Sequence, residues 1–252
     1  MSPGETGRLV ILSGPSCVGK SPLYKSLGKF HPDLHGQLRK LVLANSRDPR
    51  PGEIDGVDFH FRTRAQVEQL RTDRRYAVLE ARSDLQALNV DELESSLRTG
   101  SVFFEGNPSV ARALQTHPRL ASVTKLSIFV SPLSKEEIAY LSAPERHVSL
   151  NELTTEMMRR KLLRRTRRQK GELSAADLEN IETRASSAYR EMQIACHFDY
   201  VIPNHDGEDS DNWEAFYFPI GDARKTLDAF VSLLNGQPQP GVEKWEKDLL
   251  RD

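Results

Sequence analysis

The chain has 252 residues, 38% of them apolar, with 35 basic residues against 36 acidic ones. That length suits one domain with insertions or two small ones, and the apolar share is ample for a core and too high for a disordered chain. Charges that nearly cancel point neither to a general nucleic-acid binder nor to a membrane-surface protein.

Apolar runs such as LVIL and LSIFV are too short to cross a bilayer. The opening MSPGETGR has no apolar run behind it and does not read as a signal peptide. Cys17 and Cys196 match no metal or disulfide spacing, which suits a reducing compartment. The expectation is a soluble, cytoplasmic, globular protein with no membrane partner.

Arg8 to Ser13 is a short apolar run ending at Gly14, a buried strand. Lys20 to Lys29 carries Leu23 and Leu27 four apart, a helix. Residues 45 to 61 are dense in Pro, Gly and charge and read as loop. A strand over Tyr76 to Glu80 follows, then a helix capped by Asn89 and closed by Gly100. Ser101 to Phe104 is a strand, Pro108 opens a helix, Leu126 to Val130 is a strand, and LSKEEIAYL is a helix. Ser149 to about Arg168 makes a long helix with Leu150, Leu153 and Met157 on one face, and Ser174 caps a further helix, AADLENIETRASSAYREM. Tyr200 to Ile202 is the last strand. The acidic stretch HDGEDSDNW precedes a helix from about Gly221 to Leu234, QPQPG ends the fold, and the remaining tail reads as peripheral. Strands alternating with helices predict an α/β fold with a mostly parallel sheet covered on both faces.

Gly14-Pro15-Ser16-Cys17-Val18-Gly19-Lys20-Ser21 completes G-x-x-x-x-G-K-[ST] between a strand and a helix. In that setting backbone N–H groups converge on phosphate oxygens at a helix N-terminus. Lys20 would neutralise the β- and γ-phosphates of ATP, and Ser21 would offer its hydroxyl to Mg²⁺. An ordinary Gly-rich turn is the plainer alternative. Cys17, near a helix dipole, could be a low-pKa redox thiol, although a small residue at a variable loop position is the simpler reading. Downstream, Arg47 and Arg50 lie three apart on a Pro-stiffened loop with Glu53 and Asp58. They could grip a second phosphate with paired N–H donors, or be a solvated loop.

With these motifs the chain resembles the guanylate kinase family. The family's GPSG-x-GKST is matched at residues 14–22, and its TTR-x-PRPGE-x-DG-x-DYHF by Asn45 to Glu53, Asp55-Gly56 and Asp58 to Phe61. Its FLE is similar to Val78-Leu79-Glu80, and its closing pattern to Ile181, Arg184, Ala188, Glu191 and Phe198 to Asn204. The resemblance runs in order from residue 8 to residue 204. It implies a P-loop NTPase core (8–44, 100–140 and 197–235), a nucleoside-monophosphate-binding segment (45–99) and a helical lid (141–196), one domain over 1–236 with a tail at 237–252.

The family moves the γ-phosphoryl of ATP to GMP. Carried across, Gly14 to Ser21 would hold ATP, Arg47 and Arg50 the acceptor phosphate, and Glu80 the guanine edge. Arg184, with an arginine from Arg164 to Arg168, would close over the triphosphate; Asn204 would touch the adenine, and Glu105 would serve Mg²⁺ through water. Lys20, Arg47 and Arg184 would then carry the transfer. Three departures stand out. Phe59 replaces a Tyr whose hydroxyl contacts the acceptor phosphate. The N-Y-Y-G-[ST] segment is met only by Leu88-Asn89-Val90-Asp91, and Leu43 stands where a Ser is usual. Half of the acceptor site is rewritten. Pro22 removes a backbone donor aimed at the α-phosphate, while a proline in the first turn leaves the helix itself intact.

Residues 159–170 hold eight basic side chains in twelve, read as the arginine source of a lid rather than an RNA-binding face. Residues from about Ser142 to Arg160 exceed the family pattern and would enlarge the lid or form a subunit contact in a homodimer. The acidic stretch fails the EF-hand spacing and reads as a solvated loop. The combined expectation is a nucleoside-monophosphate kinase acting on GMP or a related nucleotide. The alternatives are a non-catalytic module binding a phosphorylated ligand and an RNA-associated ATPase.

Overall fold

The computed structural model describes residues 7–50 and 52–250. Most of the opening segment, Pro51 of the arginine loop and the last two tail residues lie outside the described residues. In chain order the elements are β1 (Leu9–Ser13), α1 (Lys20–Phe30), α2 (Pro32–Gly36), β2 (Leu38–Lys40), β3 (Ala44–Asn45), β4 (His60–Phe61), α3 (Arg64–Gln69), β5 (Tyr76–Ala81), β6 (Asp84–Asn89) and α4 (Val90–Thr99). They continue with β7 (Ser101–Gly106), α5 (Pro108–Thr116), β8 (Lys125–Ser131), α6 (Lys135–Leu141), α7 (Leu150–Lys170), α8 (Ala175–Ser186), α9 (Ala188–Gln193), β9 (Tyr200–Pro203) and α10 (Gly221–Leu234). The strands form a five-stranded sheet in the order β2-β7-β1-β8-β9 and a four-stranded sheet in the order β4-β3-β6-β5. The expected α/β architecture is present.

The chain divides into two compact units. The first comprises the described residues up to Leu12 and Gln37–Ser127. In it β2 runs parallel to β7, with Leu38 opposite Ser101. Its four-stranded sheet is mixed: β3 is parallel to β4 and antiparallel to β6, and β5 and β6 form a hairpin joined by two residues. One face of this sheet presents Ala44, Leu85, Ala87 and Val78 to Val67 and Leu70 of the α3 region. Helix α3 starts at Thr63, whose hydroxyl accepts from Gln66 N while the Gln66 side chain returns the bond, a reciprocal cap. Asn89 closes β6 and caps α4 by accepting from Glu92 N, as its sequence position predicts. The short strands β3, β4 and β6 were not foreseen, because two of them are two-residue pairings inside a loop-like composition.

The second unit comprises Ser13–Gly36 and the described residues from Ile128 onward. The last residues of β8 pair in parallel with β9, Ile128 opposite Tyr200 and Ser131 opposite Pro203. Ser149 caps α7, and Ser174 and Asp177 cap α8 reciprocally. The segment expected as one helix after Ser174 breaks into α8 and α9 at Ser187. There the hydroxyl bonds Arg184 O at 3.0 Å and Glu191 Oε1 at 3.1 Å and competes with the helical ladder. The peripheral reading of the tail is corrected. Val201 and Glu243 exchange both backbone hydrogen bonds at 2.8 Å, and the Glu243 carboxylate accepts from Lys135 N at the start of α6 and from Trp245 Nε1. Trp245 is 3% exposed. The tail therefore adds an edge bridge and a buried indole to this unit.

Candidate active site

The loop after β1 has the backbone that the glycine spacing requires. Gly14 has φ +147° and Gly19 φ +103°. A Cβ on Gly14 would lie 2.3 Å from Val130 O, and one on Gly19 2.5 Å from Asn204 Nδ2, so neither position admits a side chain. Cys17, in a position where the resembled motif has Gly, keeps the left-handed φ of +67°. Such a conformation strains a residue with a Cβ. Its side chain is wholly buried among Met158 and Leu162 of α7 and Ala185 of α8. Burial, reinforced by the nearby Glu208 carboxylate, pushes the Cys17 thiol up to about 12. This corrects the low-pKa redox reading of Cys17, because desolvation outweighs the helix dipole; as a small loop residue it packs against α7 and α8.

Lys20 opens α1 and is folded back over the loop, its Nζ donating to Gly14 O at 2.9 Å and Pro15 O at 2.7 Å. Two carbonyls thus hold the ammonium at the mouth of the cradle. Ser21 is exposed on the first turn. Pro22 follows it without breaking the helix; Leu23 N still donates to Gly19 O at 3.1 Å. Ser21, Pro22, Lys25, Arg165, Arg168 and Trp213 line a cleft of about 510 Å³ beside the loop.

The acidic stretch after β9 is a strap rather than a solvated loop. Glu208 N donates to Cys17 O at 3.2 Å, and a Cβ on Gly207 would lie 2.3 Å from that same oxygen. Its carboxylates are drawn in by α7: Arg164 to Asp209 at 2.9 Å, Arg165 to Glu208 at 2.7 Å and Arg168 to Asp211 at 3.0 Å. Lys161 Nζ donates to His205 O. The Trp213 indole N–H points back to Asp206 O and Gly207 O at 2.9 and 3.0 Å. Asn204 is fully buried, and its amide is spent on the same brace, donating to Val18 O at 2.8 Å and Asp206 O at 2.7 Å while accepting from Asp206 N. Asn204 therefore braces the loop with both amide hydrogens and one lone pair of its Oδ1. Arg184, on α8, is 5% exposed.

In the first unit the arginine loop folds around Glu53. Arg47 donates bidentately to it at 2.7 and 2.6 Å, and Arg50 N donates at 2.7 Å. Burial alone would raise the Glu53 carboxyl, but the bonds from Arg47 and Arg50 outweigh it and hold it below the usual carboxylate range. The Arg47 guanidinium lies 5.2 Å from the Phe59 ring centre and 5.6 Å from that of Phe61. Phe59, read as a lost hydroxyl, is thus a stacking surface for Arg47. Asp58 pairs with Lys40 at 2.9 Å and accepts from Ile54 N. Arg50 is the more exposed of the two arginines. The pleat of β5 sets Glu80 opposite Leu85, on the α3 side of the sheet, with its side chain exposed. Glu105 is the penultimate residue of β7 in this unit. The sequence reading passed over Gln86, which stands opposite both Asn45 and Leu79 in register and is 7% exposed.

A family model described as Guanylate kinase matches residues 6–160, more than half of the chain. The chain belongs to the guanylate kinase family. Its relatives include a guanylate kinase from Synechococcus sp. (strain JA-3-3Ab), 30% identical over 86% of this chain and 85% of that one. A guanylate kinase from Rhodococcus jostii is 28% identical over 92% and 89% of the two chains. A stronger but shorter match, 50% identical over 68 residues, is to a guanylate kinase from Mycolicibacterium paratuberculosis and spans only 29% of that protein's length. The solved guanylate kinase from Anaplasma phagocytophilum shares the fold at a TM-score of 0.54 and 19% identity, covering 92% of this chain and 86% of that one. Among the described residues no helix is long and apolar enough to cross a membrane, and no group of three or more His, Cys, Asp or Glu could hold a metal ion.

Proposed function

We propose that this chain is an ATP-dependent nucleoside-monophosphate kinase that transfers the γ-phosphoryl of ATP to GMP or a related monophosphate in the cytoplasm. The observation that carries the reading is the shaped phosphate loop: two glycines where no side chain fits, with Lys20 held at its mouth by two carbonyls. The relatives named above are guanylate kinases, which favours the catalytic reading over a binding module on the same scaffold. Both cysteines are free thiols, in keeping with a reducing compartment.

Phosphoryl transfer asks for alignment and positive charge around the moving group more than for covalent help. The acceptor phosphate, with a second pKa of about 6, is largely dianionic at neutral pH and needs no general base. One of its oxygens attacks the γ-phosphorus while the bond to the β,γ-bridging oxygen breaks and ADP leaves. In this chain the loop N–H groups hold the triphosphate, Lys20 leaves its carbonyls for the β- and γ-phosphates, and Arg165, Arg168 and Arg184 of the lid bring further charge and exclude water. Ser21, exposed beside the cleft, and Glu105 carry the hard oxygens that Mg²⁺ takes in addition to substrate phosphates, and the ion would screen the charge developing on them. Arg50, exposed, and Arg47, oriented by Glu53 and Phe59, take the acceptor phosphate.

The test is ADP formation from ATP and Mg²⁺ with each monophosphate in turn. Turnover that depends on the acceptor and falls at least about a thousandfold in Lys20→Ala is expected, the loss that removing a transition-state charge partner brings. Turnover indifferent to Lys20, or ATP hydrolysis with no acceptor dependence, would overturn the assignment.

A further inference from the structure

The face of the four-stranded sheet turned away from α3 carries a polar row. Phe61 on β4 is opposite Asn45 on β3, Asn45 is opposite Gln86 on β6, and Gln86 is opposite Leu79 on β5. Residues in register across neighbouring strands share a face. At one end of the row the Arg47 guanidinium lies over the Phe61 ring, and Arg47 N donates to the Asn45 side chain at 3.2 Å. At the other end stands Gln86, 93% buried by its 7% exposure, with its Oε1 shielded from water and bonded to nothing. A buried acceptor without a donor is costly and rare, so it calls for a reason. The α3 side of the sheet has no such group; it is closed by Ala44, Leu85 and Ala87.

We infer that Gln86 is a specificity residue of the acceptor site, its side-chain oxygen accepting a hydrogen bond from an N–H of the acceptor base. The inference rests on the kinase reading above. Two strand spacings, roughly 10 Å, separate the Phe61 and Gln86 ends of the row. With the acceptor phosphate held at the arginine end, the part of the nucleotide that reaches Gln86 is the nucleoside. A dianionic phosphate has no proton to donate, whereas the imino and amino groups of a base do. The side chain is unbranched with three rotatable bonds, so it can turn toward a ligand that enters along the row. The residue types also fit a rewritten base site. Leu79 and Leu88 add no polar group to this face, and Glu80 lies on the opposite pleat.

Kinetics of Gln86→Met and Gln86→Glu with GMP as acceptor test the idea. Gln86→Met, close in shape, is expected to raise the KM for GMP roughly three- to tenfold, the loss of one hydrogen bond, while leaving the KM for ATP in place. Its unliganded melting temperature should not fall, because the substitution removes an orphaned polar atom. Gln86→Glu keeps an accepting oxygen and should retain more GMP affinity than Gln86→Met. An unchanged KM for GMP in Gln86→Met would overturn the inference. So would Gln86→Glu being the worse of the two, which would put the amide N–H on the ligand instead. If the wild type shows no GMP-dependent turnover, the kinase reading fails separately, and GMP binding by calorimetry then decides the role of Gln86 with the same two variants.

Discussion

Pro22 is the third residue of α1, where an N–H has no helical partner and a φ near −65° is already required, so the helix continues past it. What the chain gives up is one donor at the mouth of the phosphate loop, beside the cleft that Pro22 itself lines. A hydrogen bond to a charged group contributes about 1.5–3 kcal/mol. Pro22→Thr should therefore tighten ATP binding roughly ten- to a hundredfold in calorimetry, with kcat moving little. An affinity unmoved by the substitution would mean that the missing donor has no counterpart on the ligand. Local motifs were legible at this scale: the loop glycines, Lys20 at the start of α1 and Asn89 as a cap follow from spacing alone, whereas the pairing of Arg47 with Glu53 does not. The bracing contacts of Asn204 and Cys17 were not legible, for one reason. Their partners, Val18 and Asp206 for the first and Met158 and Leu162 for the second, are chosen by the fold rather than by neighbours in sequence.

Among the elements, the strap at residues 205–213 was the least legible. Its composition is that of a solvated loop, and only the register of α7 brings Arg164, Arg165 and Arg168 to Asp209, Glu208 and Asp211. The strap is pinned at its start by His205, whose Nδ1 meets Asp222 of α10 at 2.5 Å and whose Nε2 meets Glu137 of α6 at 2.9 Å. Burial alone would lower the imidazole, but the bonds to Asp222 and Glu137 prevail and raise it above its ordinary value of 6.5. A raised folded-state value contributes stability that is full below the unfolded value and lost as pH rises through the folded one. The melting temperature should thus fall as pH rises above about 6.5, and His205→Gln should flatten that slope. Glu137 and Asp222, whose carboxyls are held low despite burial, act in the opposite sense and only in acid. A wild-type slope matched by His205→Gln would show that the imidazole bears no linked charge. Helices were easier to foresee than strands, since Ser149, Ser174 and Asn89 mark their starts, whereas β3 and β4 are defined by partners and not by pattern.

At the scale of the whole molecule, near-neutral charge argues against a general nucleic-acid surface, and the ion pairs of the basic helix point the same way. Six of the eight basic residues between 159 and 170 are in ion pairs, with partners on α7 itself, α8 and the strap, and Lys161 is held by a carbonyl. Fluorescence anisotropy with single-stranded RNA at about 150 mM salt should show no binding tighter than the micromolar, non-specific range. Nanomolar affinity with a steep salt slope would revive the RNA-dependent ATPase. Fold class and family could be inferred from the chain because motifs and alternating elements agree with each other; the neutralised face, the strap and the docked tail could not, because each depends on which charges and rings meet in space.

Cys17 adds one practical property. Its sulfur sits under α7 and α8, protonated and out of reach, while Cys196 is partly accessible elsewhere in the same unit. An alkylating probe will therefore mark Cys196 at once and Cys17 only when those helices lift, which makes the rate of the second modification a built-in clock for their excursions.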